Sequence, residues 1–176
     1  MRTGAGNRIR IANLSRMSQG MAAEHSYTAR VTWTGNRGEG TRSYGGYGRN
    51  HDIACPGKPL IRSSADTSFR GDAERHNPED LLVAALSACH MLWYLHLCAS
   101  AGVVVTAYED NAEGTMRTGP DGVGEFTKVT LRPRVTVGGD SDPAMAERLH
   151  AKAGALCFIA RSVSFPVAHV PETVSE

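Results

Sequence analysis

Residues 77–102 read NPEDLLVAALSACHMLWYLHLCASAG, the longest apolar run in the chain. The start of this run is marked three ways. Asn77 has the short acceptor side chain of an N-cap, Pro78 fits the first helical position, and Glu79 and Asp80 set negative charge against the positive helix end. Gly102 supplies a left-handed stop. The spacing predicts one helix of about 22 residues, ~33 Å long at 1.5 Å per residue. Apolar side chains occupy nearly all of its circumference, so burial on most sides is expected. Two cysteines, Cys89 and Cys98, lie within it.

From Leu81 to Ala99 the run carries no Asp, Glu, Lys or Arg and approaches the length of a membrane span. Ser87, His90, Tyr94 and His96 interrupt it, and strand-like patterns flank it, so the expectation is a core helix with no membrane contact. Composition agrees: 41% hydrophobic and 21% charged residues describe an ordinary globular chain. A net charge of +1 gives no basic surplus for nucleic acid. Four cysteines are too few for a disulfide scaffold, and residues at the N-terminus form no apolar leader. A reducing, cytoplasmic setting is therefore expected.

Working outward from the helix, residues 1–24 are polar, basic and without period, and are expected to be a disordered or wrongly started arm. Residues 25–176 are expected to form a single domain. Tyr27, Ala29, Val31 and Trp33 alternate with polar residues, the pattern of a half-buried strand. Gly35, Gly38 and Gly40 mark turns, with Arg37 at the tip and a second strand expected near Thr41–Tyr44. A third begins around Lys58, and SSADTSFRGDAERH reads as a polar loop into the helix. Beyond Gly102, VVVTAYEDNAEG is expected as one strand and FTKVTLRPRVTV as another. The second places Val129, Leu131, Val135 and Val137 on one face, while Pro133 marks an edge or the end of its pairing. Asp142 and Pro143 start a second helix with Ala146, Leu149 and Ala153 as its buried stripe, and Cys157 falls just past its end. SVSFPVAHV closes as a strand before a polar tail. This order is an α+β fold, a long helix on mainly antiparallel sheet.

Cys89 and Cys157 stand at comparable places, one within the first helix and one beyond the second. A two-cysteine peroxidase needs such a pair: one thiolate attacks the peroxide, and a second thiol resolves the sulfenic acid. Two unrelated packing thiols satisfy the same pattern. A free thiol of pKa near 8.5 is only ~3% ionised at pH 7, so a reactive one needs a neighbouring cation. His90 points ~100° away from Cys89, and His96 lies ~10.5 Å along the axis, so neither meets it. Cys89, His90, His96 and Cys98 include no pair at i, i+3 or i, i+4, so no metal site is expected. No phosphate-binding or dinucleotide-binding glycine loop is present, so no cofactor is expected either.

Three stretches carry a family resemblance. NPEDLLVAALSACHM resembles the cysteine-bearing helix of the OsmC/Ohr family of bacterial organic hydroperoxide reductases; WTGNRGEGT is similar to its arginine hairpin, and AKAGALCFIARSV to its second-cysteine segment. With the matching element order, the resemblance covers His25 to Val170. It implies antiparallel sheets around a long central helix, in an intertwined homodimer. Carried over by position, it implies that Cys89 is the peroxidatic cysteine and Cys157 the resolving one. Arg37 would hold the thiolate and polarise the peroxide, and Glu79 would orient Arg37. The implied reaction is reduction of alkyl or lipid hydroperoxides to alcohols in an oxidative-stress response, recycled by a small dithiol or a lipoyl-bearing protein. Leu82, Leu86, Leu92 and Trp93 would supply an apolar wall for such substrates.

Glu79 and Cys89 lie ~15 Å apart along one helix, so at least one site group is expected to cross from a partner chain. Three residues depart from the family pattern: His90 after Cys89, Phe158 where proline is common, and the extra Cys98, which faces about 180° from Cys89 and reads as packing. The loop bearing Cys55 is also longer than in the shortest members. These departures leave an alternative, a non-catalytic binding or thiol-sensing protein of the same fold.

Overall fold

The structure, a computed structural model, describes residues 23–176. Residues 1–22 of the expected arm lie outside the described residues. The long helix, α1, spans Pro78–Ala101. Its start is a reciprocal cap: Asp80 N donates to Asn77 Oδ1 at 2.7 Å, and Asn77 N donates to Asp80 Oδ2 at 3.3 Å. Gly102 ends it at φ 74°, a left-handed conformation natural to glycine.

Nine short strands form three three-stranded sheets among the described residues. β1 (Arg30–Trp33), β2 (His51–Ala54) and β3 (Ile61–Ser63) make an antiparallel sheet in that order. β4 (Val105–Asp110), β7 (Pro133–Val137) and β9 (Glu172–Ser175) make the second, and β5 (Glu113–Thr118), β6 (Gly124–Leu131) and β8 (Val167–His169) the third, each ordered as named. β8 and β9 join β6 and β7 in parallel, so both of these sheets are mixed.

Each of the two strands expected after Gly102 is in fact two, passed from one sheet to another. The reason lies at Pro133, which has no N–H to continue the β6 ladder. There the preceding Arg132 N donates instead to Asp110 Oδ1 at 2.7 Å, at the point where β4 also ends. Val129, Leu131, Val135 and Val137 are all buried across this break, the first two in one core and the last two in another. The polar tail supplies β9.

The second helix, α2, spans Pro143–Leu156, with Asp142 as cap and Ala146, Leu149 and Ala153 buried as the spacing predicts. It packs on α1, and the seam between them, with Val135 and Val137, forms the larger core. A smaller core joins Leu86 of α1 to Val129 and Leu131.

Burial corrects two expectations. α1 buries one stripe, Leu86, His90, Tyr94, Leu97 and Cys98, while Leu92 is 63% exposed. An apolar circumference does not say what covers each side, and this chain alone covers only one. α1 is also long and apolar enough to cross a membrane by those two measures, with mean hydropathy 1.7. In the fold it packs against α2 and β4. β1, expected to be half-buried, is exposed along its length. The second strand begins at His51 because residues 34–50 form a closed loop: Trp33 Nε1 donates to Gly48 O at 2.8 Å, and Gly48 N to Gly35 O at 2.8 Å. Gly48 O approaches Gly35 so closely that no Cβ fits there.

Candidate functional site

Cys157 caps the end of α2, its N–H bonded to Ala153 O at 2.9 Å. The chain then tightens into a 3₁₀ turn at Ala160–Ser162, and Ala160 N donates to Cys157 Sγ at 3.4 Å. The thiol is buried. Its pKa is pushed up to about 11, first by burial and then by its hydrogen-bonding contact with Cys89; the Ala160 and Ile159 N–H groups partly offset this. The two cysteines singled out from sequence are therefore neighbours, brought together from α1 and α2. Both are free thiols, and Cys89 is half-buried.

Trp93, one helical turn beyond Cys89, meets Phe158 edge-on at 5.4 Å between ring centroids. Phe158 and Leu92 are both largely exposed, so this end of the site has an apolar rim. Leu86 is fully buried in the smaller core, where Leu82 packs together with Ile159 and Ala160 of the segment that follows Cys157.

Glu79 and Arg37 do not join the cysteines within one chain. α1 is unbroken between Glu79 and Cys89, which keeps them ~15 Å apart along its axis. Glu79 instead lines a groove of about 880 Å³ between the first half of α1 and β5–β6, with Val83, Ser87, Met91 and Phe126. Its Oε2 is buried and has no hydrogen-bond partner among the described residues, and the same holds for the Tyr108 hydroxyl in that groove. Arg37 is exposed and forms no ion pair among the described residues. Asn36 orders the backbone around it, its Oδ1 accepting from Gly38 N and Gly40 N at 2.9 and 3.0 Å.

With this geometry in place, the OsmC-like protein family profile matches residues 71–170. The chain belongs to the OsmC-like family. A solved OsmC-like protein of unknown function from Vibrio cholerae is 34% identical with a TM-score of 0.76, over 84% of this chain and 99% of that one. An uncharacterised Bacillus subtilis protein, YmaD, is 27% identical over 80% of this chain and 88% of its own length. An organic hydroperoxide resistance protein from Elizabethkingia anophelis shares the fold at 16% identity, with a TM-score of 0.65 over 89% of this chain and 100% of that one.

Within this OsmC-like fold, sequence reasoning missed one feature beside the thiols. His90, adjacent to Cys89, turns inward and meets His150 of α2, with His90 Nε2 and His150 Nδ1 3.1 Å apart. His169 of β8 stands nearby, 5.5 Å from the His90 ring centroid. Burial, reinforced by the charge of His169, lowers the His90 pKa to about 4. Burial, with the charges of His90 and His169, lowers His150 to about 3. Helical spacing held the signal: His150 is four residues after the buried Ala146, and His169 alternates with Val167 in β8. Among the described residues, no group of three or more His, Cys, Asp or Glu side chains converges as metal ligands would.

Proposed function

We propose that this OsmC-like protein reduces organic hydroperoxides through Cys89 and Cys157. The observation that carries the reading is the approach of Cys89, within α1, to Cys157, at the end of α2, close enough for Cys89 to help hold the Cys157 thiol protonated. The Cys89 thiolate attacks the terminal peroxide oxygen, the O–O bond breaks, and the alkoxide leaves to become an alcohol once protonated. Cys157 then attacks the Cys89 sulfenic acid, forming a disulfide and releasing water. A dithiol, small or carried on a lipoyl protein, returns both cysteines to thiols. The apolar rim of Leu92, Trp93 and Phe158 favours an alkyl or lipid hydroperoxide over hydrogen peroxide.

Arg37 is the cation that ionises Cys89 and stabilises the departing oxygen, and Glu79 orients it. A second copy of the chain supplies that pair to each Cys89 in an intertwined homodimer. Two features support this arrangement: the unpartnered Glu79 Oε2, and the open groove it lines, walled by apolar side chains and by the carboxylates of Asp66, Asp80, Asp110 and Glu113. Free cysteines throughout the described residues fit a reducing compartment, the cytoplasm. Fold likeness to organic hydroperoxide resistance proteins, from Elizabethkingia anophelis and Legionella pneumophila, lends the same reading support.

The test is turnover of cumene hydroperoxide with dihydrolipoamide as reductant. Wild type should consume it catalytically, Cys89→Ser should not, and Cys157→Ser should manage about one equivalent before stalling. Equal rates for wild type and Cys89→Ser would leave the binding or thiol-sensing alternative in its place.

A further inference from the structure

Cys157 shares a small cavity with the buried His90 and the half-buried His169. The cavity has a volume of about 90 Å³ and is lined by Cys157, His90 and His169 together with small or apolar residues such as Gly154, Ala155 and Leu131. At ~30 Å³ per molecule that is room for a few waters, and the thiol and two imidazoles give them polar partners. We propose that His169, assisted by His90, is the proton acceptor for Cys157 through this cavity when Cys157 attacks the sulfur of Cys89. The assignment rests on the dithiol reading above and adds the group that makes its second step possible.

The chemistry requires such a group. A thiol raised to about 11 is almost wholly protonated at neutral pH, so its attack needs a base that removes the proton as the S–S bond forms. In the peroxide cycle the Cys157 proton passes to the imidazole and from there to the hydroxide leaving the Cys89 sulfenic acid. The sum is one disulfide and one water. His90 and His150 are buried, whereas His169 is half-buried and is the ring of the three that solvent reaches. His169's positive charge, once protonated, also holds the other two neutral. The titratable groups around the cluster are His90 and Tyr94 from α1, His150 and Glu147 from α2, His169 from β8, Asp110 from β4, and the two thiols. Of these, Asp110 is the charge that opposes the lowering at His90.

Attack by Cys157 is measurable without peroxide. In a Cys55→Ser background, Cys89 is loaded as a mixed disulfide with thionitrobenzoate, and release of that thiolate as Cys157 closes the disulfide is followed by absorbance from about pH 5.5 to about pH 9. Wild type should give a rate that rises less steeply than in proportion to hydroxide. His169→Gln should close at least ~10-fold more slowly near pH 7, with a rate rising in proportion to hydroxide. His169→Gln closing at the wild-type rate across the range would overturn the assignment. Should that variant not fold, Gly154→Ala decides. Its added methyl contacts His169 Cε1 and Nδ1 at 3.4 and 3.5 Å and takes up cavity space while keeping every histidine. Slower closure supports the relay, and an unchanged rate and pH profile removes it. Closure as described, without peroxide turnover, would sink the peroxidase reading and leave the relay standing.

Discussion

His90 Nε2 and His150 Nδ1 lie 3.1 Å apart across the seam of α1 and α2, both rings buried and stacked nearly parallel. One ring donates and the other accepts, a bond that one added proton does not break; burial is what disfavours charge on either ring. Their folded pKa values, about 4 and about 3, stand below the ordinary 6.5. The unfolded chain therefore binds more protons than the folded one once pH falls below about 6.5. Stability from the neutral pair is complete above that value and is lost as pH drops through the folded values, at up to ~1.4 kcal/mol per pH unit for each ring. Urea midpoints at about pH 7.5 and about pH 5 should fall steeply in wild type and less in His150→Phe, which retains one buried histidine. Parallel profiles would show that the pair is not the titrating element.

Asp110 ties α1 to the point where the chain changes sheets. It accepts from Ser87 Oγ at 2.5 Å with one oxygen and from Arg132 N at 2.7 Å with the other. Asp110→Ala removes both bonds at a part-exposed position and should cost ~0.5–1.5 kcal/mol for each. Asp110→Asn keeps one acceptor oxygen and should lose less. Chemical denaturation of the two variants measures the difference, and equal losses would count against this bracing role.

The proposed sharing of the site between two chains predicts complementation. Cys89→Ser and Glu79→Gln should each be inactive or nearly so alone. Unfolded together and refolded as mixed dimers, they should regain about a quarter of the wild-type sites, because half of the dimers are mixed and each of those carries one complete site. No recovery would place Glu79 and Cys89 in the service of separate functions.

Much of this fold was legible because local chemistry and tertiary structure agree. Asn77, Pro78 and Gly102 bound α1, and Asp142 and Pro143 start α2, through caps whose requirements are local. The burial of Val129, Leu131, Val135 and Val137 was equally plain. The change of sheet at Pro133 was not, because the pattern of alternation continues through it while the pairing partner changes. Alternation also misled at β1, whose apolar residues have no cover within this chain. At the site, the approach of Cys89 to Cys157 depends on how α1 packs on α2; sequence singled the two out by their placement, and the family resemblance gave each its role. The inward turn of His90 was hidden for another reason. Histidine beside a candidate cysteine invites a reading as its activator, whereas here it points into the seam, toward residues 60 and more positions away in sequence.

The central claim is that Cys89 and Cys157 act as one redox pair. Its most direct test is peptide mass spectrometry after the reduced protein meets one equivalent of cumene hydroperoxide, with remaining thiols alkylated under denaturing conditions. The account predicts a Cys89–Cys157 cross-linked peptide, with Cys55 and Cys98 alkylated as before. Peroxide-treated protein in which Cys89 and Cys157 are still alkylated as free thiols would contradict it.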